Sequence, residues 1–314
     1  MRLVFLGTSS ATPTRRRFLP SAALVRLGEM FLLDCGEGTQ IRFKRLNLGL
    51  APLSWILISH LHGDHITGLM GLLMSLQMGE RNAPLRLVGP PGLREYVLTN
   101  KRLLRTDFGF PLEFVELQGR HRLVHESQEY VLEAALLDHR VPCYGYALAE
   151  KDRPGRFDLA AARALGVPAG PLFGQLQRGA TVTLDDGREV RPEQVLGPAR
   201  PGRRVAYVTD TRPCANGLLL ARGADLLVHE ATFGAELADD ARVKKHSTAA
   251  EAATVARDAG AKRLVLTHFS PRYVDLEPLR AEAEAVFSPV ELADDLREFA
   301  VDYEPEQDAA TDAQ

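Results

Sequence analysis

Short apolar runs, each closed by polar, glycine or proline residues, recur along the chain. The clearest are residues 3–6, 31–33, 55–59, 85–89, 131–137, 205–208, 226–228 and 264–267. Their length and flanks predict buried strands. Amphipathic helical stretches follow several of them, notably at 66–78 and 248–259. The second opens with Thr248 at the cap and Glu251 three residues on, and Gly260 ends it. Strands alternating with helices in both halves predict an α/β architecture with helices outside the sheets. Residues 151–201 break the alternation. Glycine and proline are frequent there, as in Pro168-Ala169-Gly170-Pro171 and Gly197-Pro198, and only one short helix is expected, near 159–165. An insert of this length is a functional or flexible element, or a surface elaboration without a role.

Composition narrows the setting more than the chemistry. A chain of 314 residues, 45% of them hydrophobic, can bury a large core in one or two domains. No stretch approaches the roughly 20 apolar residues needed to span a bilayer. Met1-Arg2-Leu3-Val4-Phe5-Leu6-Gly7 reads as a first strand rather than a secretory signal, so the expected location is the cytoplasm, with no membrane partner. Cys35, Cys143 and Cys214 are far apart and odd in number, which fits a reducing compartment and a role as small core residues. The net charge of −3 neither favours nor excludes nucleic acid. An acidic tail, residues 301–314, is expected to be disordered. Basic clusters such as Arg15-Arg16-Arg17 and Lys244-Lys245 matter only if the fold gathers them around one cleft.

The strongest chemical signal is His60-Leu61-His62-Gly63-Asp64-His65, directly after the run at 55–59. Four imidazole or carboxylate groups in six residues, with Gly63 permitting a tight bend, can face one point beyond a strand end. Such donors suit zinc, or manganese where carboxylates dominate. Six residues cannot complete two metal sites. His139, Asp210 and His268 each follow another expected strand, where ligands of α/β sheets gather. Alone, Asp210 could open a turn and either histidine could be a hydrogen-bonded core residue. As a set, seven ligands for two metals with Asp210 bridging is the more economical reading. His121 and His125, in a polar stretch without ligand spacing, are expected at the surface.

The pattern His-x-His-x-Asp-His with a later His, Asp and His resembles the metallo-β-lactamase superfamily. That resemblance implies a four-layer αββα sandwich with a dinuclear site at one edge of the sheets. Six further segments narrow the family. They are Phe5-Leu6-Gly7-Thr8-Ser9-Ser10-Ala11-Thr12-Pro13, Leu33-Asp34-Cys35-Gly36-Glu37-Gly38-Thr39-Gln40, Ser59-His60-Leu61-His62-Gly63-Asp64-His65, Asp210-Thr211-Arg212-Pro213-Cys214, His229-Glu230-Ala231-Thr232-Phe233 and His246-Ser247-Thr248-Ala249. In order and interval they resemble the short form of ribonuclease Z over nearly the whole chain.

The resemblance implies an endonuclease that removes 3′ trailers from precursor tRNA, leaving a tRNA 3′-hydroxyl and a trailer 5′-phosphate. It implies two zinc ions per subunit, with manganese or another divalent metal as alternatives. One ion would be held by His60, His62 and His139, the other by Asp64, His65 and His268, with Asp210 between them. Asp64 would also orient the attacking water and accept its proton, and Asp34 would orient a histidine ligand, or else only form the turn before Gly36. His246, steadied by Glu230, would be the general acid; otherwise the two only brace their loop. The catalytic domain would span residues 1–300, with 151–201 as a protruding, flexible arm that grips the tRNA body, and the protein would be a homodimer. Two features depart from the family pattern. Gln175 and Gln177 stand where the arm usually has lysines, and Ser75-Leu76-Gln77-Met78-Gly79-Glu80 lacks the usual arginine and phenylalanine. The competing readings are a small-molecule hydrolase on the same fold, which has no need of a distant grip, and a non-catalytic RNA-binding protein, which has no need of an intact ligand set.

Overall fold

In the computed structural model, which describes residues 1–303, neighbouring residues of one apolar run face different cores. In β3 (Glu29–Leu33), Phe31 and Leu33 enter one apolar cluster while Met30 and Leu32 enter another. In β4 (Leu53–Leu57), Trp55 and Leu57 separate from Leu53 and Ile56 in the same way. A strand covered on both faces reads as a continuous apolar run, which is why these segments carried a strand signal without alternation.

The first cluster fills the space between two seven-stranded sheets and continues onto the outer face of the second. One sheet comprises β1 (Arg2–Gly7), β2 (Ser21–Arg26), β3, β4, β5 (Leu85–Gly89), β6 (Leu112–Glu116) and β16 (Glu298–Ala300), in the order β16-β1-β2-β3-β4-β5-β6. The other comprises β7 (His121–Glu126), β8 (Tyr130–Leu136), β9 (Tyr144–Glu150), β12 (Arg204–Val208), β13 (Leu226–Glu230), β14 (Leu264–Thr267) and β15 (Val290–Leu292), in the order β15-β14-β13-β12-β9-β8-β7. Both sheets are mixed. β3, β4, β5 and β6 run parallel in the first, and β12, β13, β14 and β15 in the second. Phe31 joins the sheets, stacked on Trp55 at 6.2 Å and edge-on to Tyr130 at 5.5 Å.

Helices cover the outer faces. Phe43 of α1 (Thr39–Arg45), Leu72 and Leu73 of α3 (Leu69–Met78), and Val97 of α4 (Leu93–Leu103) pack on the first sheet. Leu220 of α7 (Ala215–Ala221), Ala252 and Ala256 of α9 (Ala249–Ala259), and Leu279 of α10 (Glu277–Glu284) pack on the second. The layers are therefore helix, sheet, sheet, helix, as expected. The capping box of α9 is present: Thr248 accepts from the Glu251 amide, Glu251 accepts from the Thr248 amide, and left-handed Gly260 closes the helix.

The helix expected at 66–78 is two helices, α2 (Gly63–Ile66) and α3, broken at Thr67-Gly68. Gly68 donates its N–H to the Cys35 carbonyl, and a Cβ at Gly68 would lie 2.0 Å from the Gly36 carbonyl oxygen. The chain at 35–36 therefore takes the Gly68 N–H out of the helical ladder and leaves no room for a side chain there. Several strands had no clear sequence signal, because charges at Arg26 and Glu113 and the glycine and tyrosines of β9 dilute the pattern.

The described chain divides into two units, Met1–Ala149 with Arg203–Asp302, and Glu150–Gly202 with Tyr303. Within the smaller unit, α5 (Leu159–Ala164), capped by Asp158, and α6 (Pro171–Gln177) share an apolar cluster with the hairpin of β10 (Val182–Thr183) and β11 (Glu189–Val190). Ala162, Leu176, Val182 and Val190 are buried in it. The segment thus has its own small core and more structure than the one helix expected. Of the expected acidic tail, Val301 is buried in the main core, and residues 304–314 lie outside the described residues. The remaining helix is α8 (Ala238–Lys244), and among the described residues no helix is long and apolar enough to cross a membrane.

Candidate metal centre

Strand ends of both sheets converge on one cleft. After β4 the chain continues through Ile58 and Ser59 to His60, then turns at His62 into the short α2. The His65 N–H donates to the His62 carbonyl, so the turn folds His65 back beside His60. Gly63 does not make the bend through a left-handed conformation, and a Cβ there would meet only Thr67 Cγ2 at 3.6 Å. The expectation that its flexibility permits the turn is therefore corrected: the helix start does so. Asp34, Asp210 and His268, which follow β3, β12 and β14, have φ of 57°, 44° and 60°. The left-handed region is uncommon for residues other than glycine, with Asp and His among the more tolerant.

All seven expected ligands come together. His60 Nε2 is 2.8 Å from His62 Nδ1, which is 3.4 Å from His139 Nε2. His65 Nε2 and His268 Nε2 are 3.3 Å apart. Asp210 Oδ1 is 3.2 Å from the first and 3.3 Å from the second, while Asp64 Oδ2 is 3.5 Å and 3.7 Å from them. The other oxygen of Asp210, Oδ2, lies 3.8 Å from His60 Nε2, so this carboxylate touches both groups.

The donor chemistry fits divalent cations. His65 Nδ1 lies 2.8 Å from Asp34 Oδ2 and His268 Nδ1 lies 2.8 Å from Thr232 Oγ1, so each ring gives its proton away from the cleft. Once a cation displaces the proton that the raised pKa of His65 keeps on its Nε2, the two Nε2 lone pairs and the carboxylates of Asp64 and Asp210 would surround one point as acceptors. Tetrahedral zinc with bonds of about 2.0–2.1 Å would space its ligands by about 3.3 Å. Burial holds the His60 pKa well below its usual value, with the neighbouring His65 charge adding to the effect. Burial also lowers His62 and His139. All three rings are therefore neutral near pH 7, the form that binds a metal. Burial would disfavour a charged His65, but the charges of Asp210 and Asp34 reverse this and raise its pKa well above the usual value.

His246 lies beside these groups. Its Nδ1 is 2.9 Å from Glu230 Oε1, and its ring stacks on His268 with centroids 5.6 Å apart. Burial would lower the His246 pKa, yet the charge and hydrogen bond of Glu230 outweigh it and raise the value to about 9. Glu230 is fully buried and also accepts from the Thr211 amide and the Thr232 hydroxyl. Asp34 takes the expected place behind His65 and also accepts from Ser59 and Tyr207.

Other sequence expectations divide. The loop after β1 borders the cleft: Ser10 and Ala11 line it, and the Ala11 N–H donates to Asp64 Oδ2 at 2.8 Å. Arg140 and Lys244 line it as well, and Arg140 carried no sequence signal. Cys35 and Cys143 are buried, while Cys214 is partly buried and caps α7 by accepting from the Gly217 N–H. His121 is exposed on β7, but His125 is half-buried against Trp55, 5.2 Å between ring centroids, which corrects its placement at the surface. Ser59 and Thr232 were missed as contacts of the histidines. Their only signal was a hydroxyl one or two residues from a candidate site residue.

Comparison with known proteins gives the following. A family model described as the anti-Pycsar protein Apyc1 matches residues 1–103, and one described as a beta-lactamase superfamily domain matches residues 177–269. The chain is 50% identical to a ribonuclease Z of Salinibacter ruber over 300 residues, 95% of this chain and 93% of that protein. Among solved structures it resembles the short form of human tRNase Z, with a TM-score of 0.71 and 28% identity, covering 96% of this chain and 100% of that one. It also resembles the metallo-β-lactamase fold protein YhfI of Bacillus subtilis, with a TM-score of 0.68 and 19% identity, covering 95% and 98%. The fold is the metallo-β-lactamase fold.

Proposed function

The chain belongs to the ribonuclease Z family, and we propose that it uses two zinc ions to cut precursor tRNA at the end of the mature 3′ sequence. Membership makes it a hydrolase, an endoribonuclease of tRNA 3′ processing. The reading is carried by one observation: Asp210 lies between two clusters of metal-type donors, with Oδ2 facing His60 and Oδ1 facing His65 and His268, and the His246–Glu230 pair is next to them. His60, His62 and His139 would hold one ion, and Asp64, His65 and His268 the other, with Asp210 reaching both. Manganese or another divalent ion would suit the same donors. Bound there, the ions supply Lewis acidity to the phosphate and acidify water.

The remaining steps fall to the chain's own groups. Asp64, held by the Ala11 N–H, orients the attacking water and takes its proton. His246 has Nδ1 committed to Glu230, which leaves Nε2 to protonate the departing 3′ oxygen. With a pKa of about 9 it carries that proton at neutral pH. The products are a tRNA 3′-hydroxyl and a trailer with a 5′-phosphate.

Residues 151–201 act as the arm that grips the tRNA body. Exposed Arg163 and Arg178 supply phosphate contacts there, in the absence of lysines at Gln175 and Gln177. The protein works as a cytoplasmic homodimer. The test is cleavage of a precursor tRNA with a short 3′ trailer by wild type and Asp64→Ala. One wild-type cut at or near the discriminator base, lost in the variant, is expected. No cut by folded, metal-loaded wild type would replace this reading with a small-molecule hydrolase on the same fold.

A further inference from the structure

Behind the metal-facing histidines, two hydroxyl groups make the same pair of contacts, one in each half of the site. Ser59 Oγ is 2.9 Å from Asp34 Oδ2 and 3.0 Å from His60 Nδ1. Thr232 Oγ1 is 2.6 Å from Glu230 Oε2 and 2.8 Å from His268 Nδ1. Each carboxylate also holds a second imidazole directly. Asp34 Oδ2 lies 2.8 Å from His65 Nδ1, and Glu230 Oε1 lies 2.9 Å from His246 Nδ1. Both carboxylates, both hydroxyl residues, and His60 and His268 are buried, so water does not compete for these bonds.

Counting protons fixes the direction of each bond. A hydroxyl has one proton to give, and an ionised carboxylate can only accept. The Ser59 and Thr232 protons therefore go to Asp34 and Glu230, and each hydroxyl oxygen is left to accept. The imidazole facing it must bring a proton on Nδ1, which leaves Nε2 bare. Those Nε2 atoms are the ones turned inward, His60 towards His62 and His268 towards His65 and Asp210. The competing contacts are longer. Ser59 Oγ is 3.3 Å from His65 Nδ1, Thr232 Oγ1 is 3.4 Å from His246 Nδ1, and Cys143 Sγ, a weak acceptor, is 3.8 Å from His60 Nδ1.

We propose that Ser59 and Thr232 are positioning residues whose hydroxyls lock His60 and His268 in the Nδ1–H tautomer, keeping one Nε2 in each cluster ready for a metal ion. Neither touches the reacting atoms. The same carboxylate that steadies His246 thereby also sets a metal-facing histidine, through Thr232. The inference rests on the reading of the clusters as metal sites and is independent of the RNA substrate. Without the hydroxyl, the ring is free to adopt the Nε2–H tautomer, which has no inward lone pair, and a buried carboxylate loses a donor.

The test is zinc affinity, by competition with a chromophoric chelator, for wild type, Ser59→Ala, Thr232→Val and Thr232→Ser. Imidazole ¹⁵N spectra of the zinc-loaded wild type accompany it. Ser59→Ala and Thr232→Val are each expected to weaken zinc binding by about 10–100-fold, the usual effect of removing a hydrogen-bond partner behind a ligand. Thr232→Ser, which keeps the hydroxyl, is expected to stay within a few-fold of wild type, and the wild-type spectra to report Nδ1–H for both rings. Wild-type affinity in Thr232→Val, or an Nε2–H ring in wild type, overturns the proposal. So does a Thr232→Ser affinity as weak as that of Thr232→Val, because the methyl group would then be what matters. If Thr232→Val does not fold, the spectra and Thr232→Ser still decide. Wild type that binds no zinc sinks the metal reading itself; wild type that binds zinc with unaffected variants sinks only this inference.

Discussion

Between residues 60 and 65 one short segment carries four of the seven proposed ligands, whereas His139, Asp210 and His268 come from three separate strand ends of the other sheet. In the first region the turn itself sets the geometry. The His65 N–H bond to the His62 carbonyl closes a helical turn, and the spacing of the side chains follows from a few local dihedral angles. In the second region nothing local relates the ligands. Their separation depends on the register of β12, β13 and β14, on left-handed φ at Asp210 and His268, and on the buried Glu230 that ties Thr211, Thr232 and His246 together. A compact motif needs little support from the fold, while a dispersed one is only as exact as the sheet that carries it. The second region also holds His246, the proposed proton donor, whose pKa is raised by the buried Glu230.

That contrast can be broken most sharply at Asp210, whose carboxylate reaches both clusters. Asp210→Ala is expected to lower bound zinc at both positions and to bring precursor cleavage to background. Metal analysis that finds one site still full would make the two regions independent.

His246→Ala comes next. Cleavage should fall by about 10²–10⁴-fold, the range for a lost general acid, with metal content unchanged. A parallel loss of zinc would mean that His246 belongs with the ligands.

A third test uses pH. The acid works protonated, so single-turnover cleavage should fall as pH rises through about 9. Glu230→Gln removes the charge that holds the proton and should move this alkaline limb to lower pH. An unmoved limb would assign it to another group.

The smallest effect concerns how the fold supports the second region. Thr248 caps α9, and the adjacent Ser247 hydroxyl donates to the Thr211 carbonyl at 2.6 Å. Thr248→Ala should cost about 1 kcal/mol of stability in a denaturant titration, with a modest loss of cleavage. No change in either would separate α9 from the positioning of His246.

How far the sequence could be read follows the same division. The buried strands were legible because a strand covered on both faces leaves an unbroken apolar run, and α9 because its capping box lies within four residues. Residues 60–65 stood out because spacing along the chain is also spacing in space there. The break at Gly68 was hidden, since its N–H bonds to the carbonyl of Cys35, brought in from another part of the chain. The half-burial of His125 was hidden for the same reason, its neighbour being Trp55 on the other sheet.

By itself the sequence determined which residue types are present for metal and proton chemistry, and that several of them stand at strand ends. Tertiary structure decided which nitrogen of each histidine faces inward, that Asp210 reaches both clusters, and that Ser59 and Thr232 stand behind the rings. The physical reason is range. Backbone preference and apolar periodicity act over a few residues and leave a trace in the order of the chain. Hydrogen-bond direction, tautomer and pKa are set by atoms within about 4 Å, and at this site those atoms come from different strands of two packed sheets.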